Sequence, residues 1–352
     1  MVLLIRDAEV AQVLRMEDVI RVSTEAYLAV DGGLAANRPR TFTYCETPAG
    51  RFNANTMEGI LVEKGVYSTR LAVRNNPRAG QEASGRDSVG TSVHLLYDLH
   101  TGDLLALIQD GPIGQMRVQA INAIAARYMA RADAHSMALI GSGYQANASI
   151  DAMRAVLPIE RVTVYSKTRE HREEFVARMQ RIHEDIEVRL ADSVQEAVRG
   201  AELVVAATNS YEPVFKGEWV EPGMHLTGVL AHEFDLATYE RADRILIYNR
   251  MHARDYTLTR GPEEAEIRPT PHAHLLADAP EMTDLVSGRV KGRLSNDQVT
   301  LFANGGHGRG LDGGPGYPVQ LTAVAKLAYD LACERGLGQQ IPFEFSSEFR
   351  GA

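Results

Sequence analysis

The stretch Met137-Ala-Leu-Ile-Gly-Ser-Gly-Tyr-Gln-Ala-Asn147 constrains this chain more than any other. A short apolar run ends in Gly141, Gly143 and Ala146, spaced as G-x-G-x-x-A, and a helical pattern over 144–157 follows at once. In a strand–turn–helix of this kind the first glycine lets the chain turn sharply. The second lets backbone approach a pyrophosphate, and the small third residue lets helix pack on strand. The helix start then meets the anion with unpaired N–H groups. Glycine-rich turns also arise for purely geometric reasons, so the neighbouring pattern has to decide.

From Ser136 that pattern is repeated strand and helix. Strands at 137–140, 161–165, 186–190 and 203–207 alternate with helices at 144–157, 169–183 and 194–199, which is the signature of a parallel sheet. Strands at 224–230 and 244–248 extend it beyond the switch point. The expected fold class is α/β, a Rossmann-type doubly wound parallel sheet. Upstream the period differs: helices at 7–14, with Asp7 as N-cap, and 16–30, then strands at 40–44, 65–73, 93–97 and 104–109. The last two strands pair across Thr101-Gly-Asp103, so an antiparallel α+β region is expected there. A final helix at 319–335 closes on Gly336. The expected division is 1–115 for an α+β domain, completed by 317–352, and 116–316 for the dinucleotide-binding domain.

An acidic residue at the end of the second parallel strand takes the ribose hydroxyls of NAD in this fold. Here that place reads Tyr165-Ser166-Lys167-Thr168-Arg169. No carboxylate repels a 2′-phosphate, while a hydroxyl, an ammonium and a guanidinium stand ready to receive one. NADP(H) is expected in preference to NAD(H). The cofactor-binding set is Gly141, Gly143, Tyr144, Gln145, Ala146, Ser166, Lys167, Thr168, Arg169 and Thr208.

Two arginines stand out. Alternation along 65–73 puts Val66, Ser68, Arg70, Ala72 and Arg74 on one face and Tyr67, Thr69, Leu71 and Val73 on the other. The arginine face is either a solvated outer face or a cation facing a ligand cavity. In the helix expected over 115–130, Arg117 shares the apolar stripe of Ile121, Ile124 and Tyr128. A cation there is costly unless paired, and in a first helical turn it also opposes the dipole. It either holds an anion, or bonds an internal carboxylate or snorkels to water. Residues 304–316, with seven glycines, read as a ligand-covering loop or a plain surface connection.

The formal net charge of −9 and the lack of any basic run argue against a nucleic-acid or anionic-membrane partner and leave a small molecule. Cys45 and Cys333 are too few for a disulfide framework or a thiolate metal site; two reduced, packed thiols in a reducing cytoplasm are expected, and no metal. Nowhere do about eighteen apolar residues run together, and the N-terminus lacks a signal-peptide pattern.

With these residues in hand the sequence resembles the ornithine cyclodeaminase and mu-crystallin family over nearly the whole chain. The likeness is carried by residues 96–107, Met116-Arg117, the glycine block, residues 233–243 and Asp297-Gln-Val-Thr-Leu-Phe302. It implies a homodimer whose N-terminal domains pair sheets, and a substrate that is an α-amino or α-imino acid. It also implies that Arg40, Arg70 and Arg117 hold the substrate carboxylate, Arg70 replacing a family lysine. Arginine clamps a carboxylate well but cannot act as a base. The family's aspartate after the fifth strand has no counterpart in residues 226–235, which leaves His232 or Glu233 for proton work. The catalytic set is then Arg70, Arg117 and His232. The implied reaction is NADP(H)-dependent imine reduction or amino-acid dehydrogenation, with cyclodeamination on a catalytically used nicotinamide, or mere sequestration of NADPH, as alternatives.

Overall fold

The computed structural model describes residues 1–48, 50–76, 89–210, 212–250, 254–257, 273–304 and 316–343. The expected loop at 304–316 and the end of the expected segment 317–352 therefore lie largely outside the described residues. Strand β1 (Val2–Ile5) precedes helices α1 (Asp7–Val13) and α2 (Met16–Asp31). The N-cap of α1 is Arg6 rather than Asp7, and its backbone N–H donates to Glu9 Oε2 at 2.7 Å. Helix α2 buries Met16, Val19, Ile20, Val22, Ser23, Ala26 and Tyr27, the stripe that helical periodicity demands.

Strands β2 (Ala35–Thr47), β3 (Gly50–Leu61), β4 (Val66–Asn76), β5 (Val89–Asp98) and β6 (Leu104–Gln109) form an antiparallel meander. The sequence reading has no β3, because Asn53, Asn55, Thr56 and Glu58 blur its apolar alternation. Helix α3 (Gly111–Met129) begins with Pro112 in its first turn, earlier than expected and across the expected 115/116 boundary. Pro there fits, since the first N–H groups of a helix lack partners anyway.

There follow β7 (Ser136–Ile140), α4 (Ser149–Arg154), β8 (Arg161–Tyr165), α5 (Arg169–Ile182), β9 (Glu187–Leu190), α6 (Val194–Val198) and β10 (Leu203–Ala206). After these come β11 (His225–Gly228), α7 (Leu236–Arg241), β12 (Arg244–Ile247), β13 (Arg254–Thr257), α8 (Ala273–Leu276) and α9 (Met282–Val286). The last elements are β14 (Thr300–Ala303), α10 (Pro318–Glu334) and β15 (Gln339–Ile341).

One sheet runs β12-β14-β11-β10-β7-β8-β9 and every pair in it is parallel. It is the doubly wound sheet expected, with β14 inserted between β11 and β12. The other, the first sheet in chain order, runs β13-β2-β3-β4-β5-β6-β1-β15; it is antiparallel from β2 to β6 and again between β1 and β15, while β1 joins β6, and β13 joins β2, in parallel. Strand β13 thus brings residues from within 116–316 to the first sheet.

The face of β4 carrying Val66, Ser68, Arg70 and Ala72 is buried, whereas Tyr67, Thr69, Leu71 and Val73 are half-buried. The arginine face is therefore the inward one. Helix α10 covers that side at short range: Ser68 Oγ lies 2.8 Å from Thr322 Oγ1, and a side chain at Gly59 would strike the backbone of Pro318 and Val319. Only glycine admits so close an approach.

Candidate active site

Strand order reverses between β7 and β10, and the glycine turn leaves β7 at that switch point, where open parallel sheets bind ligands. Gly141 has φ +120°, its N–H donates to the Tyr165 carbonyl at 2.7 Å, and a Cβ there would run into the Ala207 carbonyl oxygen. Gly143 differs. A Cβ on it meets nothing within 4 Å, so its backbone borders open space of the kind a pyrophosphate fills. Ala146 is fully buried. The helix expected over 144–157 is shorter: a 3-10 turn, Ala146–Ala148, leads into α4, which ends ahead of Pro158.

The turn is tied to α3. The Tyr144 hydroxyl donates to the Gly111 carbonyl, the Tyr144 carbonyl accepts from Gln115 Nε2, and Gln145 Oε1 accepts from Gln119 Nε2 at 3.4 Å. Burial, and then the nearby Asp110 and Asp7 carboxylates, push the Tyr144 phenol up to about 12. Past β8, Ser166 Oγ accepts from Ser142 Oγ at 2.9 Å. Arg172, absent from the sequence reading, braces this corner: it donates to the Ser166 carbonyl and to Asp192, both at 3.1 Å, beneath the Tyr165 ring. Arg169 is engaged by Glu173 at 2.7 Å. Thr168, at the N-cap place of α5, makes no side-chain cap bond, and Lys167 is exposed without a partner among the described residues.

Thr208 turns inward. Its N–H and hydroxyl both donate to Glu233 Oε1 at 2.7 Å, while Glu233 Oε2 accepts from the Val229 and Leu230 N–H groups at 2.8 and 2.9 Å. Glu233 is fully buried, and desolvation raises its carboxyl despite those four bonds. It latches the ends of β10 and β11 together. Asp235 caps α7 through Thr238 and also accepts from the Gly217 N–H at 2.9 Å. His232 Nε2 lies 2.8 Å from the Ser210 carbonyl.

The arginines converge from three elements, Arg40 on β2, Arg70 on β4 and Arg117 on α3. Arg40 and Arg70 are buried; Arg117 is half-buried, with its Nε enclosed and lacking a hydrogen-bond partner. Burial, then repulsion from Arg117 and Arg70, pulls the Arg40 guanidinium down to about 9. Arg117 stands in the second turn of α3, not the first, so the dipole opposes it less than expected. Arg70 donates through Nε and Nη2 to Asp110 Oδ2 at 2.8 and 2.6 Å, and its Nη1 reaches Asn55 at 3.3 Å. Asp110 Oδ1 accepts from His94 Nε2 at 2.7 Å. Burial alone would raise the Asp110 carboxyl, but Arg70 and His94 outweigh it and hold it far below the ordinary carboxylate range. Among the described residues no group of three or more His, Cys, Asp or Glu side chains is placed to hold a metal ion.

A model of the ornithine cyclodeaminase/mu-crystallin family matches residues 1–334. The chain belongs to that family. Its relatives include a delta(1)-pyrroline-2-carboxylate reductase of Bacillus cereus, 28% identical over 256 residues, which span 71% of this chain and 73% of the relative. The ketimine reductase mu-crystallin of Rattus norvegicus is 33% identical over 141 residues, 40% of this chain and 44% of its own. In fold, the chain is similar to the Thermococcus litoralis delta(1)-pyrroline-2-carboxylate reductase solved with NADH and L-proline. That likeness has a TM-score of 0.79 at 24% identity and covers 96% of this chain and 100% of that one.

The sequence reading named Arg40, Arg70 and Arg117 but not Asp110, His94 or Asn55, which the structure places against Arg70 or its carboxylate. A signal existed for His94, since alternation along β5 puts it on the same face as Leu96, and both are fully buried. Asp110 gave none, because it reads as an ordinary helix-start residue ahead of Gly-Pro.

Proposed function

We propose that the protein is a nicotinamide-dependent reductase of a carboxylated imine, with NADP(H) preferred. The observation that carries this reading is the convergence of Arg40, Arg70 and Arg117 on the inward side of the first sheet, against their own repulsion. An anion relieves that repulsion, and a carboxylate matches the guanidinium fork. Arg117, and the Nη1 edge of Arg70 that Asp110 leaves, hold the carboxylate and fix the α-carbon. The bound nicotinamide supplies hydride. The protein supplies position, charge and exclusion of water.

That the chain is an NAD(P)-dependent oxidoreductase rests on its family and on reductase relatives found by sequence. Cyclodeamination is less favoured, because Glu233 and Asp235 already hold up the backbone and neither is offered to a substrate amine. The NADP(H) preference is supported by the absent carboxylate after β8 and by Lys167. The half-exposed outer face of the first sheet, with Phe52, Ile60, Tyr67, Leu71, Leu95 and Tyr97, supports a homodimer formed there. We assign residues 1–115 with 317–352 to substrate binding and dimerisation, and 116–316 to the cofactor, with Arg117 and β13 contributed from that segment to the substrate side. No helix of the described residues is long and apolar enough to cross a membrane, and the exposed thiol of Cys333, which corrects the expectation of two packed thiols, suits a reducing cytoplasm.

The test is NADPH oxidation with a cyclic imine carboxylate, set against ornithine turnover with catalytic NAD(P)+. Imine reduction should exceed proline formation at least about tenfold, or about 1.4 kcal/mol in barrier. Faster release of ammonia and proline from ornithine than reduction of any such imine overturns the reading.

A further inference from the structure

Two buried nitrogens of the arginine site have no hydrogen-bond partner, Arg117 Nε and His94 Nδ1. An imidazole without solvent access that leaves one nitrogen unsatisfied carries a free-energy cost, and here the other nitrogen is fixed. His94 stands directly opposite Arg70 across β4 and β5, and its Nε2 is 2.7 Å from Asp110 Oδ1. Asp110 carries negative charge, so Nε2 is the donor, and Nδ1 is left to hold or release a proton. A carboxylate that orients an imidazole through one nitrogen while the other is buried and unpaired is the arrangement from which a general acid or base can be built.

We propose that His94 is the acid that protonates the imine nitrogen, with Asp110 its positioning residue; this rests on the reductase reading above. The imidazolium Nδ1–H passes its proton to the nitrogen as hydride from the reduced nicotinamide reaches the α-carbon. The C=N bond becomes a C–N single bond, the nicotinamide is oxidised by two electrons, and water restores the proton to His94. Arg70 has a double duty in this scheme. Its Nε and Nη2 hold the Asp110 carboxylate, which also bonds His94, and its opposite edge faces the substrate carboxylate. One guanidinium thus sets the distance between the substrate anion and the acid.

This assignment places proton transfer on β5, beside the carboxylate clamp, rather than on the segment after β11, where His232 stands. The titratable groups facing the imidazole are Asp110 from the start of α3 and Arg70 from β4. Across β6 its register partner is Ile108, and the residues that α10 buries carry no titratable group. The pH dependence of the step therefore belongs to the His94–Asp110–Arg70 unit, with Arg40 and Arg117 as the next charges.

Two readouts test it on the full chain with NADPH. In steady state, kcat for reduction of a cyclic imine carboxylate should show an alkaline limb, as a step that needs a protonated acid does. His94→Gln should lower kcat about a hundredfold, flatten that limb and leave KM within about threefold, because the arginines remain. Without turnover, pyrrole-2-carboxylate, flat and not reducible, is titrated calorimetrically in buffers of different ionisation enthalpy. Wild type should take up a proton on binding; His94→Gln should bind equally well without uptake, and Asp110→Asn should show reduced uptake and an intermediate kcat. If His94→Gln fails to bind NADPH, and so has not folded, His94→Asn carries the same two readouts. Unchanged kcat with the pH limb intact and proton uptake preserved makes His94 a core residue whose Nδ1 meets water, and overturns the proposal. Wild-type protein that reduces no carboxylated imine overturns the reductase reading instead, and is told apart because wild type and variant are then equally silent.

Discussion

The glycine turn after β7 and the arginine site under the first sheet are built on opposite principles. The first is made by what is missing: Gly141 and Gly143 lack side chains, and the surface proposed for an anion is backbone within one short stretch. The second is made by what is added. Its charged groups come from β2, β4, β5 and α3, and three of them hold one another, Arg70 to Asp110 and Asp110 to His94. A site of the first kind fails when volume is introduced, whereas a site of the second kind fails when charge is taken away.

The largest effect should come from breaking the first kind where fold and ligand make different demands. Gly141→Ala places a methyl group against the Ala207 carbonyl at φ +120°, so melting temperature should collapse or soluble protein be lost. Gly143→Ala has room in the protein itself. Thermal denaturation should leave its midpoint within a degree or two of wild type, while calorimetry shows NADPH affinity down tenfold or more. Equal destabilisation by both changes would mean that the second glycine serves the fold and not a ligand.

Next in size is removal of charge from the second site. Arg117→Ala should raise KM for the imino acid by about 10 to 100-fold, the worth of a charge-assisted bond of about 1.5–3 kcal/mol, with NADPH affinity unchanged. A fall in NADPH affinity of similar size would move Arg117 to the cofactor site.

The smallest effect tests the place where the two principles meet, the end of β8. Changing Lys167 and Arg169 together to alanine should weaken NADPH by about 1 to 3 kcal/mol and leave NADH nearly untouched. Lys167→Ala alone should account for most of it, because Arg169 is already engaged by Glu173. Equal losses for the two cofactors would remove the case for NADP(H).

The same contrast explains what could be read from the sequence. The parallel sheet was legible because each unit declares itself locally, an apolar run, a turn, then a helix, and β8 falls where the pattern put it. Strand β3 was not, since Asn53, Asn55 and Glu58 look like loop residues until β2 and β4 are known to flank them. Arg40 and Arg117 were named from family likeness and stripe position. The Asp110–His94 pair was not, because the contact joins residues sixteen apart whose relation depends on the closure of a hairpin and a helix start. The bond between Thr208 and Glu233 was hidden in the same way, since each is polar and they stand far apart in sequence.

The pairing of β1 with β15, Val2 opposite Ile341, has a consequence for how the molecule is made. A ribosome delivers the whole parallel sheet by residue 303, but α10 and β15 emerge only afterwards. For roughly 2 to 8 seconds, at about 5–20 residues per second, the arginine-bearing face of the first sheet has no lid while the later half of the chain can already close. Vectorial synthesis therefore runs against the order of the fold, and the most charge-laden interior of the protein is the last to be sealed.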